Sequence, residues 1–195
     1  MERVGITTAT LRTWTKYSVK KMYKTMKGEA EKVQWSRNVW ERWSIPKHSF
    51  SSWLAIQDKL KTKARLVKYG VLQDETCSLC GVAAETISQN VLKLITTWLG
   101  SVRTHQDLES AFKWINRRMS KHKVKKKVWN AAVNAVVYSI WQVRNSIVWR
   151  NQMQQEVQTA KQIMFLILSR LNKIRGRRMK PNDEEWIDSL YNYCV

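Results

Sequence analysis

The sequence predicts an all-α protein of about seven or eight helices, with a small cysteine knuckle and a long C-terminal helical arm. Hydrophobic residues make up 44% of the 195-residue chain, which is enough to form a core. Glycine and proline are scarce, at 6 and 2 residues, whereas all-β sandwiches and barrels need many turns. Apolar residues recur at steps of three and four, the spacing that gives a helix one buried face.

The first third of the chain predicts three helices after an irregular lead-in at residues 1–13. Ser18 can cap a short helix that Gly28 ends. A second helix is expected from about Val33 to Trp43. Pro46 then begins a third, since proline is tolerated in the first turn of a helix. The expected buried stripe of this third helix is Phe50, Trp53, Leu54 and Leu60.

The middle of the chain is predicted to hold short helices around the cysteine knuckle. Thr62 can cap a helix that Gly70 ends, and the knuckle at Cys77 and Cys80 follows. Residues 85–99 form the next helix. Thr104 with Asp107 begins another, which continues to the basic residues at 117–118.

The second half shows the most regular helical spacing. Two apolar runs step by four and three, so each predicts a helix that buries one long seam. Their spacing permits either one bent helix or a hairpin broken near residues 150–152. A final short helix begins at Asn182 or Asp183. The two seams are Trp129, Val133, Val136, Ile140, Val143 and Ile147, then Met153, Val157, Ala160, Met164, Ile167, Leu171 and Ile174.

Eleven tryptophans indicate a large aromatic core, because most must be partly buried to keep the chain soluble. Single-strand binders stack bases on exposed aromatic rings, which is the alternative use of tryptophan. Trp40, Trp53, Trp129 and Trp141 fall on apolar stripes, so we interpret these four as core residues.

The formal charge of +20 and the pI near 10.2 favour a polyanionic partner. Nucleic acid is the main candidate, an anionic membrane surface is the runner-up, and a solvated charged face is the alternative for any single lysine. No stretch is long and apolar enough to span a membrane. We expect phosphate contacts without base reading, from Lys59, Lys61, Lys63, Arg65, Lys68, Arg117, Arg118, Lys121, Lys123, Lys125, Lys126 and Lys127.

The residues that could carry chemistry do not form a catalytic set. The pair Cys77 and Cys80 has the spacing of half a zinc site, but two ligands alone rarely retain zinc. The alternative is two free thiols, and a redox pair lacks the βαβ context such motifs have. The sequence pairs no base with a serine or cysteine nucleophile, and it contains no glycine-rich phosphate loop. We therefore expect no enzymatic activity.

Several short motifs in order resemble the reverse transcriptase zinc-binding domain of plant non-LTR (LINE-type) retrotransposons. The family pattern contains a serine-valine-lysine, a tryptophan pair, a P-K-x-x-F-x-x-W-x-A segment, a T-K-x-R-L helix and a C-x-L-C. The resemblance covers residues 14–151. Its matching segments are YSVKKMY at 17–23, Trp35 with Trp40, IPKHSFSSWLA at 45–55, LKTKARLVKYGV at 60–71, CSLCG at 77–81, Glu85 with Thr86, and IWQVRNSIVWRN at 140–151.

The sequence departs from the family where the zinc ligands should be completed. After the glutamate-threonine pair the family has a histidine and a further cysteine, which complete a Cys-Cys-His-Cys set. Here the chain runs directly to the family's later tryptophan-leucine-glycine. The resemblance therefore implies a truncated domain with an internal deletion, in which Cys77 and Cys80 are an incomplete ligand set. Zinc is therefore a candidate cofactor with two of its four expected ligands present.

Together these observations predict three regions, namely residues 1–13, a zinc-binding-like helical domain at 14–151 and a C-terminal arm at 152–195. The resemblance implies a non-catalytic accessory module that binds RNA or DNA near a polymerase. The alternative is a helical interaction protein that self-associates through residues 153–174. An intracellular location, in nucleus or cytoplasm, is favoured over secretion because three cysteines do not suggest a disulfide scaffold.

Overall fold

The structure, a computed structural model, is all helical over the residues that it describes. These are residues 18, 19, 22, 33–61, 69–70, 84–101, 107–150, 152, 155–173 and 179–192, with backbone alone for 84–90 and 148. They form seven helices and no strand, as predicted. The helices are α1 (Ser36–Val39), α2 (Pro46–Ile56), α3 (Ala84–Trp98), α4 (Leu108–Arg118), α5 (Lys123–Arg150), α6 (Glu156–Asn172) and α7 (Pro181–Asn192).

The chain divides into two compact units, Met1–Ser36 and Arg37–Val195. In the first unit the described backbone includes a helical hydrogen bond from the Met22 N–H to the Ser18 carbonyl, 2.9 Å long. The predicted helices after Ser18 and Thr62 lie largely outside the described residues.

Several helices begin or end at the residues that the sequence predicts. Pro46 occupies the first turn of α2. Gly100 follows α3 in the left-handed region, with φ +82°, which a glycine adopts without a steric penalty. Asp107 caps α4, since its carboxylate accepts a 2.7 Å hydrogen bond from the Ser110 N–H. Local chemistry therefore fixes where these helices begin and end.

The helix predicted from Val33 to Trp43 is much shorter, since α1 covers only Ser36–Val39. The side-chain amide of Asn134 donates to the backbone carbonyls of Asn38 and Val39, at 3.2 and 3.1 Å. In a continuing helix these carbonyls would accept from N–H groups four residues on. The chain instead turns, and the Trp40 side chain is 53% exposed. Its assignment to the core was wrong.

Helix α5 is the centre of the second unit, because α2, α3, α4 and α6 all pack against it. Helix α6 also packs on α3. Val128 and Ala131 near the start of α5 line the same groove as Ile167 and Leu171 near the end of α6. The two helices are therefore antiparallel, which selects the hairpin over one bent helix.

The apolar seam of α6 is buried within the chain's own fold. Ala160, Met164, Ile167 and Leu171 are all buried, as the spacing predicted, whereas Val157 is exposed. Hydrogen bonds also attach α7. The Trp98 indole N–H donates to the Leu190 carbonyl at 3.0 Å, and the Tyr191 hydroxyl donates to the Leu168 carbonyl at 3.1 Å. The C-terminal helices thus pack on α3, α5 and each other.

The buried face of α2 is not the predicted one. Phe50 is 50% exposed, and Trp53, Leu54 and Leu60 are half-buried. The buried residues of α2 are instead His48, Ser49, Ser51 and Ser52. Short side chains at a helix contact allow the two axes to come close, and α2 uses them to pack against α5.

A buried asparagine network joins α1, α4 and α5. Asn38 donates to Asn130 at 2.9 Å and to Asn116 at 3.1 Å, and Asn116 donates back to Asn38 at 3.0 Å. Asn134 donates to the Ser44 hydroxyl at 2.9 Å in addition to the two carbonyls. Buried amides need such partners because an unpaired polar group in a core is costly. We call Asn38, Asn116, Asn130, Asn134 and Ser44 the asparagine network.

Among the helices in the described ranges, none combines the length and apolar character that crossing a bilayer requires.

We expect Asn134→Ala to lower the free energy of unfolding by about 1–3 kcal/mol, because it leaves two buried carbonyls and a hydroxyl without their donor. Urea denaturation followed by circular dichroism measures this loss. The control is Asn192→Ala, since Asn192 is exposed at the last position of α7. Equal stability of the two variants would contradict the role given to the network.

We also expect stability to fall at mildly acidic pH through His48. Burial, with the adjacent Lys47 charge, lowers the pKa of His48 from 6.5 to about 4, and the imidazole stacks on Tyr138 at 4.6 Å between ring centroids. As the pH falls, His48 is protonated in the unfolded chain before it is protonated in the folded one. Its contribution to the free energy of unfolding is therefore fully present above about pH 6.5 and is lost as the pH drops towards 4.

Urea denaturation at pH 7.5 and pH 5 checks this dependence. His48→Phe keeps a stacking ring but removes the titrating group, so its loss of stability between the two pH values should be smaller than that of the wild type. Identical losses in both proteins would show that other groups govern the pH dependence.

Candidate nucleic-acid interface

The densest group of predicted phosphate contacts lies where α4 passes into α5. Arg117 and Arg118 end α4, and a short turn leads to the first residue of α5. The turn is closed by a 3.2 Å hydrogen bond from the His122 N–H to the Met119 carbonyl. We call residues 117–127 the basic junction. Its predicted contact residues are Arg117, Arg118, Lys121, Lys123, Lys125, Lys126 and Lys127.

The exposure of the basic junction differs along its length. Arg117, Arg118, Lys121 and Lys123 are exposed, so their charged groups face solvent. Lys125, Lys126 and Lys127 are half-buried. The exposed four are therefore the better placed to contact an external polyanion.

Two of the half-buried lysines lie over tryptophan rings. The Lys127 ammonium is 5.0 Å from the ring centroid of Trp43, and the Lys125 ammonium is 5.1 Å from that of Trp186. Such cation–π contacts hold the charge beside the ring while the aliphatic stem covers apolar surface. Lys125 and Lys127 thus also help to attach the start of α5 to its neighbours, a role that the sequence did not predict.

The basic junction has no acidic neighbours in sequence. Between Glu109 and Glu156 the chain contains ten lysines and arginines and no aspartate or glutamate. Glu109 itself pairs with Lys113 at 2.9 Å, one turn along α4. Over the described ranges, no acidic side chain pairs with a residue of the basic junction. Its positive charge is therefore not neutralised by that part of the fold.

The start of α4 reinforces this separation of charge. The Asp107 carboxylate caps the helix, and the hydrogen bonds that it accepts from the Ser110 hydroxyl and N–H lower its pKa. Negative charge at the first turn and arginines in the last turn both suit the helix dipole. Helix α4 thus presents its acidic end away from its basic end.

The second predicted group is described only in part. Lys59 and Lys61 are exposed just after α2, and the Lys59 ammonium lies 5.9 Å from the ring centroid of Trp53. Lys63, Arg65 and Lys68 lie outside the described residues, so their contacts stay predictions.

An aromatic pair on α2, with Phe50 exposed and Trp53 half-buried, was not predicted from the sequence. Phe50 and Trp53 have ring centroids 5.6 Å apart and lie on the face opposite to the buried serines. The run of histidine and serine at positions 48, 49, 51 and 52 was the signal that could have found it. These residues also share a helix face, and they are the ones that pack on α5.

The zinc ligands implied by the resemblance cannot be completed from the part of the chain that the structure describes. Cys77, Cys80 and His105 lie outside it. His48 is buried beside Tyr138, and His122 is exposed in the basic junction. The described residues contain no group of three His, Cys, Asp or Glu side chains that could hold a metal ion. That the set at Cys77 and Cys80 is incomplete thus stays what the resemblance implies.

Comparison with known proteins gives one match. The model of a family described as zinc-binding in reverse transcriptase matches residues 17–94. No curated protein and no solved structure matches the chain. The matched segment ends within α3, so the basic junction lies beyond it. It includes the motifs around Pro46 and the pair Cys77 and Cys80, which carried the resemblance. Residues 17–94 are therefore similar to the zinc-binding domain of reverse transcriptases.

Proposed function

We propose that the chain is a non-catalytic accessory module of a retrotransposon reverse transcriptase that binds RNA or DNA through phosphate contacts. The observation that carries the proposal is the basic junction, whose exposed arginines and lysines have no acidic partner in the described structure. The family match supports the context, because zinc-binding segments of reverse transcriptases accompany an enzyme that works on nucleic acid.

Electrostatics explains why such a junction favours a nucleic acid. Each lysine or arginine that contacts a phosphate releases condensed counterions, and their release drives binding in a salt-dependent way. The exposed residues Arg117, Arg118, Lys121 and Lys123 lie on a helix end and the following turn, a short span that suits contacts to successive phosphates. Phosphate contacts of this type position a nucleic acid without reading its sequence.

Self-association through residues 153–174 is the alternative function. The seam that would carry it is buried against α3 and α5, since Ala160, Met164, Ile167 and Leu171 contact the chain's own core. These four residues are closed to a second copy, and the large apolar side chains that α6 leaves exposed are Val157, Phe165 and Leu166. We prefer phosphate binding because it uses charged side chains that the fold leaves exposed.

We expect RNA and DNA affinity to fall steeply with salt, and to fall less steeply in a variant of the basic junction. The variant carries Arg117→Gln, Arg118→Gln, Lys121→Gln and Lys123→Gln. If all four contact phosphates, the slope of log affinity against log salt should decrease by about 3 for a single strand. Fluorescence anisotropy of labelled oligonucleotides at several salt concentrations measures the slope.

The control variant removes the same charge elsewhere, through Lys161→Gln, Arg170→Gln, Lys173→Gln and Lys180→Gln, all exposed. We expect it to keep most of the wild-type affinity and slope. An equal loss in both variants would show that binding follows net charge alone. Affinity that does not change with salt would contradict phosphate binding altogether.

A further inference from the structure

The outer face of α2 combines exposed aromatic surface with positive charge. Its inner face is settled by burial, since His48, Ser51 and Ser52 pack inward against α5. Lys47 and Phe50 are exposed, and Trp53 is half-buried beside Phe50. Phe50 and Lys47 are three positions apart, so they are neighbours on the helix surface. We call Lys47, Phe50, Trp53 and Lys59 the α2 outer face.

The two rings of the α2 outer face form a tilted pair. Their centroids are 5.6 Å apart and the ring planes meet at 32°. Half of the Phe50 side chain remains in contact with solvent. The outward Phe50 ring, with the half-buried Trp53 beside it, is aromatic surface open to a stacking partner.

Positive charge lies beside one of these two rings. Lys59 places its ammonium 5.9 Å from the Trp53 centroid, whereas the Lys47 ammonium lies 4.8 Å from the ring centroid of Tyr138 on α5. Residues 42–57 contain no aspartate or glutamate, and the exposed Lys61 follows. Asp58 is exposed next to Lys59 without an ion pair to it in the described structure. The face therefore favours a partner that is both aromatic and anionic.

We propose that the α2 outer face stacks unpaired bases, so that the single strand is the form of nucleic acid that this module prefers. The inference rests on the proposed function, because it names the class of nucleic acid bound. A nucleotide carries a flat aromatic base beside a phosphate, which matches a ring with a neighbouring ammonium group. Stacking of this kind does not discriminate between nucleotide sequences, because every base offers a flat face to an aromatic ring.

A duplex cannot use this face in the same manner. Its bases are stacked on one another and paired, so their faces are closed to a side chain on a helix surface, whereas unpaired bases can stack on aromatic rings. A protein with only phosphate contacts would bind single and double strands according to charge density. A preference for single strands therefore distinguishes binding by base stacking from binding by phosphate contacts alone.

The test uses the full chain with a labelled single-stranded oligonucleotide of about 12 nucleotides, a length within known single-strand site sizes. A blunt hairpin with the same number of phosphates, its stem closed by a non-nucleotide linker so that no base is unpaired, provides the duplex. We expect Phe50→Leu to weaken single-strand binding about fivefold or more, the loss typical of removing one base-stacking ring, with hairpin binding unchanged. Leucine keeps an apolar side chain, and Phe50→Trp should retain the wild-type affinity.

Trp53→Leu and Trp53→Phe repeat the comparison at the second ring, with thermal unfolding to confirm that each variant is folded. Single-strand affinity equal to wild type in both leucine variants would overturn the stacking proposal, and so would equal losses on the hairpin. These outcomes are distinct from failure of the proposed function, which would appear as no salt-dependent binding of either oligonucleotide by the wild type.

Discussion

The asparagine network is the constraint on which the second unit depends. The side-chain amide of Asn134, on the central helix α5, donates hydrogen bonds to the backbone carbonyls of Asn38 and Val39. These carbonyls are thereby lost to helical hydrogen bonding, so α1 ends and the chain turns into α2. Asn38 in turn bonds Asn116 of α4 and Asn130 of α5. One set of amides thus fixes three elements to each other, and polar partners specify this arrangement more narrowly than apolar contact would.

The position of both functional surfaces follows from this arrangement. Asn116 of α4 and Asn130 of α5 both bond Asn38, which holds the two helices on either side of the short turn at 119–122, so the basic junction sits at a defined helix end. Because α1 ends early, α2 lies against α5 with its serines inward and Phe50 outward. In these helices small polar residues lie in the interior, and Phe50 and the basic junction lie on the surface.

Several helix boundaries and much of the two long seams could be predicted from the sequence because their causes are local, and Trp129, Val133, Val136 and Val143 of α5 are buried as the spacing predicts. Asp107, Pro46 and Gly100 act within a few residues, and the steps of three and four along α5 and α6 describe one helix at a time. The orientation of α2 could not be predicted in this way. Both its aromatic residues and its serines follow helical spacing, and the choice between them depends on α5.

Trp40 shows the same limit. Its exposure follows from a hydrogen bond between residues 96 positions apart in the sequence, Asn134 and Asn38, which spacing within residues 33–43 does not contain. The candidate site also has a part that could be predicted from local sequence and a part that could not. The basic junction was visible as a run of charge, whereas its cation–π contacts with Trp43 and Trp186 join distant segments. The family resemblance at residues 17–94 was readable because it consists of short motifs in order.

The central claim is that nucleic acid lies on the basic junction, and lysine protection tests it most directly. The protein is acetylated with and without a saturating single-stranded RNA, and the modified lysines are quantified by mass spectrometry. The account predicts protection of Lys121 and Lys123, with Lys161, Lys173 and Lys180 equally reactive in both samples. Uniform protection of all five, or protection confined to Lys161, Lys173 and Lys180, would contradict it.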